Sequence, residues 1–102
     1  MIVRIVKLEF KPERIDDFLE FFEHVKFKVN DFPGCRGMQL LRSESDCSVV
    51  FTYSIWEREE DLERYRTSET FSNIWPKIKI WFAAKPEAWT LNHHFDGLGL
   101  FN

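Results

Sequence analysis

The chain has little of what several common chemistries require. Only four glycines occur in its 102 residues, at 34, 37, 97 and 99, and they do not form the pattern of a nucleotide-binding loop. There are three histidines. His93 and His94 are adjacent on a predicted strand, so their side chains point to opposite faces and cannot share one ion. His24 falls on the polar side of a predicted helix. No Cys-x-x-Cys or His-x-x-x-His spacing occurs, and no metal site is expected. The two cysteines, Cys35 and Cys47, sit near opposite ends of a predicted hairpin, far beyond disulfide reach at ~3.3 Å per residue. Both read as free thiols, and neither has a visible base partner for nucleophilic catalysis.

Charge and length exclude further classes. A net charge of −3 argues against nucleic acid and anionic membranes as partners. No segment reaches the roughly 18 apolar residues of a membrane span. The N-terminal Met-Ile-Val-Arg-Ile-Val reads as a strand and lacks signal-peptide organisation, so a cytoplasmic location is expected.

Aromatic residues are what the chain has in quantity. Eleven Phe and four Trp are more apolar bulk than a 102-residue monomer easily buries. A second subunit or an aromatic-lined pocket would accommodate the excess.

Period-two alternation over residues 2 to 10 predicts a strand with Ile2, Arg4, Val6, Leu8 and Phe10 on one face, and Val3, Ile5, Lys7 and Glu9 on the other. Apolar residues on both faces imply that both are covered. Pro12 suits a first helical turn, and Ile15, Phe18, Leu19, Phe22, Val25 and Val29 form one helical stripe. Asn30 to Gly34 closes that helix. A strand from about Cys35 to Arg42, a turn over 43–46 and a strand from Val49 to Trp56 follow.

Glu59 to Arg66 predicts a short helix with Leu62 and Tyr65 on one side. From Ser68 a second helical stripe carries Phe71, Ile74, Trp75, Ile78, Trp81 and Phe82, with a kink or break expected at Pro76. A last strand is expected from Ala88 to about His94. The order βαββαβ predicts an α+β, ferredoxin-like domain over 1–95, a four-stranded antiparallel sheet with helices on one face. The 96–102 tail has no period.

Lys11-Pro12-Glu13, Phe32-Pro33-Gly34-Cys-Arg-Gly37, Tyr53-x-x-Trp56, Tyr65-x-x-Ser68 and Trp75-Pro76-Lys77 stand in order along the chain. Together they resemble the antibiotic biosynthesis monooxygenase (ABM) family of the dimeric α/β-barrel superfamily, over residues 1 to 94. The resemblance implies a homodimer whose sheets pack face to face as a barrel. It also implies one of three activities: cofactor-independent oxygenation of a small hydroxylated aromatic or quinol, haem degradation, or ligand binding without turnover in a stress-associated protein. The haem-degrading branch is disfavoured. Its strand Asn, short-helix Trp and iron-ligating His would fall on Val6, Tyr65 and Trp75, and all three depart from that pattern. No cofactor is therefore expected.

The candidate site is a cleft between helices and sheet. By helical phase Tyr65 and Trp75 both point toward the sheet, and Arg4 shares the strand face of Val6. A buried arginine needs a partner. Either an acidic neighbour supplies it, or Arg4 binds an anionic or phenolate ligand. Tyr65 is the best catalytic candidate, because a buried phenol needs a hydrogen-bond partner and can donate to a substrate oxygen. Arg4, Tyr65 and Trp75 are thus the expected ligand-binding residues, with a small aromatic molecule as ligand.

Overall fold

Strand β1 (Ile2–Glu9) lies near the middle of the fold because its alternation gives it two apolar faces to bury. The computed structural model describes residues 1–101, and in it β1 pairs antiparallel with two partners. One is β3 (Val49–Trp56), with Arg4 opposite Ser54. The other is β4 (Glu87–Asn92), with Arg4 opposite Thr90. Strand β2 (Cys35–Arg42) pairs with β3 at the far edge, giving the order β2-β3-β1-β4. This is the antiparallel sheet of a ferredoxin-like α+β fold.

Helix α1 (Ile15–Asn30) starts one turn later than Pro12 suggests, since residues 11–14 form a turn closed by the Arg14 amide on the Lys11 carbonyl at 2.8 Å. Helix α2 (Glu59–Arg66) leads directly to α3 (Glu69–Lys79), whose first turn is capped by Ser68 Oγ accepting from the Phe71 amide. Of the kink or break expected at Pro76, the break does not occur, and α3 runs through it. Proline removes one amide donor there. Trp75 and buried Ile78, packed on the core on either side of it, keep the helix continuous. β4 ends at Asn92, so His93 and His94 follow the strand, and His93 stacks instead on Phe101 at 4.1 Å. Of the 96–102 tail, Asn102 lies outside the described residues.

All helical residues of the core gather on one sheet face. Leu8, Phe10 and Val50 from the strands meet Ile15 and Phe18 of α1, Ile78 of α3, and Trp81. Phe10 is fully buried and stacks on Phe18 with ring centroids 4.3 Å apart. The opposite face carries Val3, Ile5, Phe51, Tyr53 and Ile55. There Leu41, Trp89 and Leu91 are exposed. β4 is exposed along its whole length, so the helical layer stops short of that edge.

The Phe32-Pro33-Gly34 turn ties α1 to the start of α2. The Cys35 amide bonds the Phe32 carbonyl at 2.8 Å, and the Gly34 carbonyl accepts from Glu57 at 2.9 Å. Asp61 is buried directly against Gly34 and forms ion pairs with Arg64 at 2.9 Å and Arg58 at 3.6 Å. Gly34 has φ of 88°, and a Cβ there would overlap the Asp61 carboxyl carbon. Gly34→Ala is therefore expected to destabilise the fold by about 2 kcal/mol or more in chemical denaturation. Asp61→Ala in the same background should not restore stability, because alanine keeps the Cβ that would overlap the new methyl group.

Candidate functional site

A chain of ring contacts shapes the space between helices and sheet. Trp56, the last residue of β3, stacks on Tyr65 of α2 at 5.3 Å, and Tyr65 meets Phe71 edge-on at 5.4 Å. Phe71 stacks on Trp75 at 5.4 Å, and Trp75 meets Phe82 at 5.5 Å. The helical spacing of 71, 75 and 82 puts these rings on one side of α3 and its extension, as the stripe predicts. They wall a predominantly apolar cleft of about 550 Å3. Its floor is the helix-facing side of the sheet, and Ala88 of exposed β4 lies at its open edge.

Arg4, Tyr65 and Trp75 all line this one cleft. Of the two partners considered for Arg4, an acidic neighbour in direct contact is not found. Among the described residues no carboxylate lies within ion-pair distance of Arg4, and its guanidinium Nη1 donates instead to Thr90 Oγ1 at 2.7 Å. Burial, and then the neighbouring Arg66 guanidinium, lower the Arg4 pKa, while Glu63 partly offsets them. Arg4 therefore keeps donors free toward the cleft.

Tyr65 is half-buried, and among the described residues its hydroxyl has no hydrogen-bond partner. Burial pushes its pKa up to about 12, with a smaller contribution from Cys35. The phenol is thus a proton-bearing donor through the neutral range and not a base. Ser54 lies at the centre of β3, but its hydroxyl is engaged. It accepts from the Trp56 indole at 2.9 Å, which satisfies the N–H of an almost fully buried tryptophan.

Periodicity missed two groups. Arg66 follows Tyr65 and is a further 100° around the helix, so phase alone assigns it to solvent. Its long side chain nevertheless reaches the cleft rim. Thr90 was hidden because strand pairing, not sequence spacing, sets it opposite Arg4.

Comparison with known proteins places this geometry. A profile of the family described as antibiotic biosynthesis monooxygenase matches residues 1–75. The chain belongs to that family. No curated protein sequence matches the chain. Among solved structures, the Nitrosomonas europaea protein named "putative antibiotic biosynthesis monooxygenase" is 17% identical with a TM-score of 0.86, covering 93% of this chain and 100% of its own. A second structure, named antibiotic biosynthesis monooxygenase, is 20% identical with a TM-score of 0.86, covering 92% of this chain and 99% of its own. A conserved Methanosarcina mazei protein is 18% identical with a TM-score of 0.84, over 92% of this chain and 94% of its own. At these identities the likeness is one of fold.

The cleft of this ABM domain does not suit haem. Among the described residues no histidine or cysteine lines it, Trp75 is held between the rings of Phe71 and Phe82, and the Tyr65 phenol stays protonated. Among the described residues no group of three or more His, Cys, Asp or Glu could hold a metal ion, and no helix is long and apolar enough to cross a membrane.

Two substitutions separate cleft wall from packed core. Tyr65→Phe should change stability by less than about 0.5 kcal/mol, because the lost hydroxyl has no protein partner. Trp75→Ala should cost about 2 kcal/mol, below the ~3–5 kcal/mol of a fully packed aromatic, since Trp75 is only half-buried. Urea denaturation of both variants measures this directly.

Proposed function

We propose that this ABM domain is a cofactor-independent monooxygenase for a small hydroxylated aromatic or quinol bound in the cleft. The observation that carries this reading is the unpartnered, protonated Tyr65 hydroxyl in the wall of an apolar, ring-lined space. Such a substrate fills the cleft with its ring system and places an oxygen against Tyr65. Donation from Tyr65, in a site of low polarity, stabilises the oxyanion left when the substrate loses its proton. The electron-rich anion then reacts with dioxygen. At an activated ring methylene, O2 adds as a hydroperoxide, and loss of water leaves the carbonyl, so two hydrogens and one oxygen atom depart as H2O. The substrate is itself the reductant.

Among the described residues no Asp, Glu or His lines the cleft, so in this reading the substrate proton passes to solvent. Arg4 supplies the positive potential that favours its release. The absence of an internal base also supports a second reading, ligand binding without turnover. Oxygen uptake with a panel of naphthoquinols and anthrones distinguishes the two. Stoichiometric uptake that falls at least tenfold in Tyr65→Phe is the expected result. Tight binding without uptake would leave the binding protein as the better reading.

The domain is further proposed to act as a homodimer, with the Val3/Ile5/Phe51/Tyr53 sheet faces of two copies packed together. Support comes from exposed Leu41, Trp89 and Leu91 on that face. Sedimentation at low micromolar concentration should give a species near twice 12.3 kDa, and a stable folded monomer would overturn this assembly.

A further inference from the structure

The charged residues that line the cleft are all basic. Arg4, Arg66, Lys79 and Lys85 line it, and among the described residues no aspartate or glutamate does. This is the reverse of the chain as a whole, in which 17 acidic residues outnumber 14 basic ones. The two arginines matter most. Arg4 stands on the strand floor, half-buried, and Arg66 is close enough to lower its pKa by repulsion. Glu63, paired with Arg66, offsets only part of this repulsion, and an anion placed between the two guanidiniums would relieve the rest.

We infer that the cleft selects an aromatic carboxylic acid, with the carboxylate held between Arg4 and Arg66 and the ring system against the Trp56–Tyr65–Phe71–Trp75 wall. This rests on the reading that the cleft is the substrate site, and it names the substrate class. Charge favours a monoanion. Arg66 Nη1 is paired with Glu63 at 3.4 Å, so two guanidiniums against one carboxylate leave a single unbalanced positive charge. Lys79 and Lys85 are exposed and largely screened, so they attract an anion to the cleft without fixing its position. Geometry favours a planar group. The guanidinium fork matches the two oxygens of a carboxylate, and Arg4 spends one donor on Thr90, keeping others available. Gripping the carboxylate there leaves Tyr65, the preceding residue on α2, for a second oxygen on the ring.

Calorimetric titration of the full chain at neutral pH with 2-naphthoic acid and its methyl ester tests the inference, because the two probes share a ring system and differ in charge. The acid is expected to bind at least about tenfold more tightly, and added salt should weaken the acid alone. Arg4→Gln and Arg66→Gln should each remove most of that preference while leaving the ester unchanged within about twofold. Arg66 is on the exposed rim, so its variant remains informative if Arg4→Gln folds poorly. Equal binding of acid and ester would overturn the inference and leave the cleft reading intact. So would an acid preference that survives both substitutions, or tighter binding of 1-naphthyl phosphate than of the acid. Binding of neither probe, or binding that Trp75→Ala does not alter, would overturn the cleft reading together with the inference.

Discussion

The fold depends on an unbroken sequence of aromatic contacts. It runs from Phe32 through Trp56, Tyr65, Phe71, Trp75, Phe82, Phe10 and Phe18 to Phe22, each ring within 6.2 Å of the next. These residues come from α1, the turn after it, the end of β1, β3, α2, α3 and the segment after α3. Their contacts therefore link nearly every element through one connected set of side chains. Aromatic pairs contribute about 0.5–1.5 kcal/mol each beyond their burial, and offset or edge-on arrangements are the favoured ones. The aromatic excess noticed in the composition is largely absorbed here.

The same rings do two tasks. At the Phe10–Phe18 end they are dense core. Toward Tyr65 and Trp75 they are only half-buried and become a wall, because the helical layer does not extend over β4. The cleft is thus a place where core packing is left incomplete at the sheet edge. Polar groups enter it by two routes. Arg4 arrives by strand alternation, and Tyr65 and Arg66 by the position of α2 after the Phe32-Pro33-Gly34 turn. That turn is fixed by Asp61 packed against Gly34, so a buried carboxylate outside the cleft sets the placement of two residues within it.

Much of the fold was legible in the sequence. The alternation of β1, the stripes of α1 and α3, and the Ser68 cap state their own structure, and the βαββαβ order follows from them. At Pro76 local propensity predicts a kink or a break, and tertiary packing of Trp75 and Ile78 prevents the break. The site was legible in part. Helical phase brings Tyr65 and Trp75 to the sheet, and strand phase brings Arg4 to the same side. What those residues meet was not legible. The Thr90 hydroxyl, the Arg66 guanidinium and the missing carboxylate all depend on strand order and on the reach of a flexible side chain, neither of which has a sequence period.

The alternation of β1 has an evolutionary consequence. Arg4, Val6 and Leu8 serve the cleft and core, while Val3, Ile5 and Lys7 serve the outer face. Inserting or deleting one residue within the strand would exchange the two sets on one side of the change, turning either Lys7 toward the core aromatics or Arg4 to the opposite surface. β1 can therefore diverge in composition but not in length. A change of length is accommodated more readily in the mostly exposed 43–48 turn, which lies outside the strands and sets no register.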